Sequence, residues 1–276
     1  MKIRIVADSS ADLITNQDKS VVSVPLKIMT DEKEYIDNEE LDVKAMTEDL
    51  ASYKGKSGSA CPGVGDWLDA FGEAEQIIAI TITSNLSGSY NSARVAKETY
   101  ESDYPGRRVV VIDSLSAGPE LKVIVEKIQE LVEAGKDFDE ICNAVTEYQK
   151  KTFLVFCLKS LTNLANNGRV SPAVAKSAGI VGIHVVGRAS DVGTLEQKDK
   201  VRGEKRAIPC LLKNMKELGY KGGKVMIDHC FNENAALQLK ALIKEEFSNA
   251  DIRIATTKGL CSFYAEQGGL LVGFES

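Results

Sequence analysis

The chain has 276 residues, 43 % hydrophobic and 27 % charged, with a formal net charge of −6. That is ample for the core of one large or two medium domains, and the acidic balance excludes a nucleic-acid surface, which needs a clustered excess of Lys and Arg. The six cysteines, Cys61, Cys142, Cys157, Cys210, Cys230 and Cys261, show no C-x-x-C and no zinc-chelating spacing, so they read as reduced thiols with no metal centre.

Lys2 to Ala7 alternates charged and apolar residues and predicts a first strand, ending in the acidic, hydroxyl-rich turn Asp8 to Leu13. This start is too short and too charged for a signal peptide, and no segment approaches ~18 uninterrupted apolar residues. A cytoplasmic protein without a membrane span is expected. Val21 to Met29 predicts a second strand, with Pro25 marking an edge or a bulge. Tyr35 to Tyr53 is acidic and then helical. Gly55-Lys56-Ser57 has the ending of a phosphate loop, but Leu50 stands where that motif wants its first glycine. Ser59 to Trp67 reads as a tight turn into a helix with Trp67, Leu68 and Phe71 on its apolar face.

Ile77 to Ala93 is the most informative stretch. Ile77 to Thr83 is a β-branched run suited to a strand buried on both faces. Ser84 to Ser89 are cap formers, and Tyr90 to Glu98 then reads as helix. A helix N-terminus at a strand end presents unpaired amides, suited to a phosphate or a carboxylate, although the serines can equally be simple caps. Arg108 to Asp113 follows as a strand, with helices over Leu121 to Glu133 and Asp137 to Tyr148. The alternation predicts an α/β fold with a mainly parallel sheet between helices, a three-layer domain over residues 1–152.

From Phe153 the texture changes. Short strands are expected at Phe153 to Phe156, Val185-Val186, Lys224 to Ile227 and Ile252 to Ala255, with amphipathic helices over Ala207 to Leu218 and Asn234 to Phe247. The basic run Lys198 to Arg206 reads as a solvated loop or helix start, or as a docking patch. Pro172 to Ile183 is rich in small residues, which permit close packing or leave room for a ligand. This half predicts a smaller α+β C-terminal domain over residues 153–276.

Five motifs in order resemble the DegV family of bacterial fatty-acid-binding proteins, which includes the FakB-type acyl carriers. Asp8-Ser9-Ser10-Ala11-Asp12-Leu13 is similar to its opening turn, Ser87-Gly88-Ser89-Tyr90-Asn91-Ser92-Ala93 to L-S-G-T-Y-x-S-A, and Asn167-Gly168-Arg169-Val170 to G-G-R-I. Lys200-Val201-Arg202 resembles its K-V-R segment, and Asp228-His229 with Asn232 its strand-end histidine motif. The resemblance spans nearly the whole chain. It implies a DegV-like fold and a non-enzymatic carrier that binds a long-chain fatty acid such as palmitate and presents it to a partner enzyme, with no other cofactor.

By position, the carboxylate would be held by Ser59, Ser87 and the Gly88 amide, with Arg169 and Tyr264 nearby. The acyl tunnel would be walled by Ala178, Gly179 and Ile180. A fatty-acid kinase would dock near Lys200, Arg202 and Lys205. Serine replaces the family's threonine at Ser59, and the family's C-terminal histidine falls on Tyr264. Two rivals belong to other classes. A hydrolase with Ser87 as nucleophile and His184 or His229 as base lacks the G-x-S-x-G elbow, and a phosphotransferase subunit binding phosphate at Ser87-Gly88 lacks a nucleotide loop.

Overall fold

The computed structural model describes residues 3–17, 20–171, 174 and 182–276. The first half runs β1 (Ile3–Asp8), a 3-10 turn (Ser9–Ala11), β2 (Val21–Val24), β3 (Lys27–Thr30), β4 (Glu34–Ile36), α1 (Val43–Ser52), β5 (Ser57–Ala60), α2 (Val64–Phe71), β6 (Gln76–Thr81), α3 (Ser89–Asp103), β7 (Arg108–Asp113), α4 (Pro119–Glu133) and α5 (Phe138–Gln149). The second runs β8 (Thr152–Leu158), α6 (Thr162–Asn166), β9 (Ile183–Ala189), β10 (Leu195–Arg202), α7 (Glu204–Glu217), β11 (Lys224–His229), α8 (Glu233–Glu246), β12 (Asp251–Thr256), α9 (Gly259–Ala265) and β13 (Leu270–Glu275).

The first sheet has the order β2-β1-β6-β7 and is parallel throughout. Its strands are apolar on both faces because helices cover both. Trp67, Phe71 and Tyr100 of α2 and α3 pack on Val6, Ile77 and Ala79, while Leu121, Ile124 and Ile141 of α4 and α5 pack on Ile5, Ile78 and Ile80. The expected strand Val21 to Met29 is two strands in different sheets. Pro25 offers no N–H to a ladder, so the chain leaves the first sheet after Val24 and joins a small antiparallel sheet, β4-β3-β5. Ser59 therefore stands on a strand rather than in the expected turn.

The second sheet, β10-β9-β8-β13-β11-β12, is antiparallel except for the β11–β12 pair. Its far face is sealed by α7 and α8 through Ile208, Leu211, Leu239 and Ile243. Helix α4 covers its near face and so touches both sheets. A β-carbon on Gly273 of β13 would lie 2.4 Å from the Pro119 carbonyl carbon, so only glycine permits this approach. The basic run from Lys198 is an edge strand as far as Arg202, with helix only from Glu204. Lysine on an edge discourages pairing with a second chain. Ala178, Gly179 and Ile180, expected to wall the tunnel, lie outside the described residues.

Candidate functional site

A cavity of about 320 Å³ lies where the near face of the second sheet meets the loops at the strand ends of the first. Its floor is β8 and its neighbours: Leu154, Phe156 and Leu158 alternate along one face of that strand, joined by Leu195 and Leu271. The roof comprises Leu26, Ile82, Leu86, Ala117 and, from α9, Leu260, Cys261, Tyr264 and Ala265. The volume falls in the ordinary range for a small-molecule site, and the lining is mainly apolar.

Polar residues share this lining, Ser10 among them, its Oγ donating to the Asp8 carboxylate. Ser59, Ser87, Gly88, Arg169 and Tyr264, all named from the sequence, line this one cavity. The Ser59 Oγ and Tyr264 hydroxyl are 2.7 Å apart and share a hydrogen bond, although 205 positions separate them in the chain. Arg169 Nε donates to the Leu86 carbonyl at 3.2 Å, and its Nη1 donates to the Asn167 carbonyl. Two carbonyls thus fix the guanidinium, and among the described residues no carboxylate pairs with it. Asn167 Nδ2 donates to the Ser57 carbonyl at 3.2 Å, tying the Arg169 loop to the strand that carries Ser59.

Ser87 and Gly88 sit at the N-terminus of α3. The N-cap itself is Gly88, and the Ser87 Oγ before it accepts from the amide of Ser89, the first helical residue, at 3.3 Å. Among the described residues nothing accepts from the Gly88 amide, one of the four donors that a helix start leaves open. A β-carbon at Gly88 would stand 3.1 Å from Cys61 Sγ, so a larger residue would crowd this wall.

Buried carboxylates hold the turns. Asp8 accepts from the Ile82 amide at 2.9 Å, from Ser89 Oγ at 2.6 Å and from Ser10 Oγ, clamping three segments to one residue. Burial pushes its carboxyl up against the pull of these donors. Asp37 accepts from the amides of Gly259 and Leu260 at 2.6 and 2.9 Å, so it fixes the start of α9 and hence the aim of Tyr264. Burial likewise raises Asp37.

Neither histidine lines the cavity. His184 is buried on β9, and His229 closes β11, where its Nδ1 accepts from the Asn232 amide at 3.3 Å. Burial lowers both imidazoles. Ser87 thus has no histidine base beside it within the described lining. Among the described residues no cluster of His, Cys, Asp or Glu could hold a metal ion, and no helix is long and apolar enough to cross a membrane.

The cavity floor was missed from the sequence. The signal was there in the period-two spacing of Leu154, Phe156 and Leu158, which marks one face of a strand. The strand expected over Phe153 to Phe156 is longer in the structure, Thr152–Leu158, and so carries Leu158 onto the same face.

A family model described as an uncharacterised protein of the DegV family matches residues 2–276. A DegV domain-containing protein of Streptococcus pneumoniae is 42 % identical over 279 residues, covering 100 % of this chain and 99 % of its own. Among solved structures, a DegV family protein from Eubacterium eligens loaded with heptadecanoic acid superposes with a TM-score of 0.97 at 43 % identity, covering 99 % of each chain. The Streptococcus pneumoniae fatty acid kinase (Fak) B3 protein loaded with linoleic acid also gives 0.97, at 42 % identity, over 100 % of this chain and 99 % of its own.

Proposed function

Since the chain belongs to the DegV family, we propose that it is a carrier of long-chain fatty acids rather than an enzyme, binding the carboxylate between Ser59, Ser87, the Gly88 amide, Arg169 and Tyr264. The acyl chain lies along Leu158, Phe156 and Leu154 in the apolar remainder of the cavity. The observation that carries this reading is the Arg169 guanidinium, without a carboxylate partner among the described residues, in the lining of a mainly apolar cavity. A charged donor beside a free helix amide suits an anion, and the leucine floor suits a hydrocarbon. The Eubacterium eligens and Streptococcus pneumoniae structures, each loaded with a fatty acid, support the same reading.

Burial of a sixteen-carbon chain contributes on the order of 0.8 kcal/mol per CH₂ before ordering costs, about 10 kcal/mol in all, against about 1 kcal/mol for each neutral hydrogen bond. The tail supplies affinity and the polar end supplies position. In this reading residues 1–152 carry the hydroxyl turns, residues 153–276 supply the acyl face, and the protein works in the cytoplasm. A fatty-acid kinase is the partner suggested by the Fak B3 relative. Lys200, Arg202 and Lys205 are exposed, while the neighbouring carboxylates Glu196 and Glu204 are engaged by Lys198 and Lys159. These three cations are therefore open to an acidic partner surface.

Native mass spectrometry of the purified protein, followed by organic extraction, tests the reading directly. A co-purifying fatty acid is expected. Titration with palmitate should then give a loss of about 1 to 3 kcal/mol for Ser87→Ala with folding intact, the usual cost of deleting a hydroxyl that binds a charged group. Equal affinity in the folded variant would remove Ser87 from the site.

A further inference from the structure

The floor of the cavity contains an unusual pairing. Phe156 of β8 stands directly opposite Gly187 of β9. Both lie on the side of the sheet that bears the cavity, because Val186 belongs to the core on the far side and Val185 to the cluster around Phe156. A β-carbon placed on Gly187 would lie 2.3 Å from Phe156 Cζ and 2.6 Å from Cε2. The ring therefore occupies the space that any other side chain at 187 would need. It lies down over the glycine instead of standing up from the sheet.

The position of this ring matters for the cavity. Phe156 is 3 % exposed and lines the cavity between Leu154 and Leu158. Side chains two apart on one strand face are roughly 6 to 7 Å apart, so Phe156 forms the middle of the floor. Glycine inside a strand weakens it and calls for a physical reason. One reason is the Glu196 carbonyl, 2.4 Å from the same β-carbon beside the bulge at Gln197 and Asp199. The Phe156 ring is a second, and it alone reaches the cavity.

Resting on the fatty-acid reading above, we infer that Gly187 is a specificity-determining residue of this cavity. By letting the Phe156 ring lie against the sheet, it keeps the middle of the floor low and admits acyl chains bent at mid-length by a cis double bond. A straight saturated chain needs less clearance there. Raising the ring should therefore penalise bent chains more than straight ones.

Stearic and oleic acids make the test, since both have eighteen carbons and a carboxylate and differ only in the central cis bond. Dissociation constants for both are measured on the delipidated full-length protein. Gly187→Ala should lower the preference for oleate over stearate at least tenfold, and adding Phe156→Leu should restore it. If contact with the Glu196 carbonyl prevents Gly187→Ala from folding, Phe156→Trp and Phe156→Leu in the natural background decide the matter. The larger ring should lower the same ratio tenfold, and leucine should preserve or raise it. A folded Gly187→Ala or Phe156→Trp protein with a ratio within twofold of the wild type overturns the inference. A wild-type protein that binds neither acid would fail the fatty-acid reading itself, a distinct result.

Discussion

Glu120 is 4 % exposed at the start of α4, where Ser116 Oγ and Thr152 Oγ1 both donate to its carboxyl. Burial outweighs the two donors and pushes the group up to about 7. The folded state then holds a proton that the unfolded chain has released, so stability is lost as pH rises from the unfolded value near 4.5 through about 7. The shift corresponds to about 3 kcal/mol. Glu120→Gln should remove this dependence, so its melting temperature relative to the wild type should climb between pH 5 and pH 8. A constant difference across that range would show that Glu120 does not titrate there. In the fatty-acid cavity the Tyr264 hydroxyl is engaged with Ser59, and no histidine stands in the described lining. Palmitate affinity should therefore vary little between pH 6 and pH 8, whereas Tyr264→His should bind more tightly on the acid side as the imidazole gains its proton. Titrations at several pH values compare the two proteins; equally flat profiles would place residue 264 away from the carboxylate. The hydroxyl turns could be read from the sequence because capping serines and glycines have a local signature. Glu120 could not, since one glutamate at a helix start resembles any exposed first-turn acid.

Helix α4 illustrates the same limit at the next scale. Its residues Pro119 to Val125 are all buried, including Lys122, whose Nζ lies 2.6 Å from Asp228 Oδ2. From the sequence, Leu121 to Glu133 reads simply as a helix, with nothing to mark Lys122 as buried. That Lys122 points into a second sheet depends on a partner 106 positions away. Asp12 lies in the same cluster, and burial holds its carboxyl well above the ordinary range. Lys122→Met should destabilise the fold by about 3 to 5 kcal/mol, because it strips the cation from a buried carboxylate pair. The loss should grow with pH, since carboxyls raised further in the folded state resist ionising more. Urea unfolding at pH 6 and pH 8 measures both effects. A loss below about 1 kcal/mol that is the same at both pH values would mean that the pair is solvated rather than buried. Pro25 and the basic edge strand β10 are subject to the same limit. A proline announces a break without saying that the two pieces join different sheets, and alternating lysines look alike on an edge strand and in a solvated loop.

At the scale of the whole molecule, the α/β class and the parallel first sheet were legible, because each strand carries its own apolar run. The shared helix layer was not, and neither was the cavity floor, because both are made by contacts between distant segments. Ser59, Ser87, Arg169 and Tyr264 come from separate elements, and only tertiary packing gives them a common cavity. That cavity also has a mechanical consequence. A space of about 320 Å³ walled mainly by leucine, isoleucine and alanine offers water few partners, and hydrostatic pressure favours whichever state eliminates such volume. The delipidated protein should therefore show a larger volume decrease on unfolding than the same protein saturated with palmitate, as followed by Trp67 fluorescence in a high-pressure cell; the midpoint alone would move through ligand binding in any case. Equal volume changes would mean that the cavity closes when its occupant leaves. A larger change without the ligand would mean that the fold keeps the space open, so that a fatty acid enters a site built in advance and fills volume that compression would otherwise reclaim.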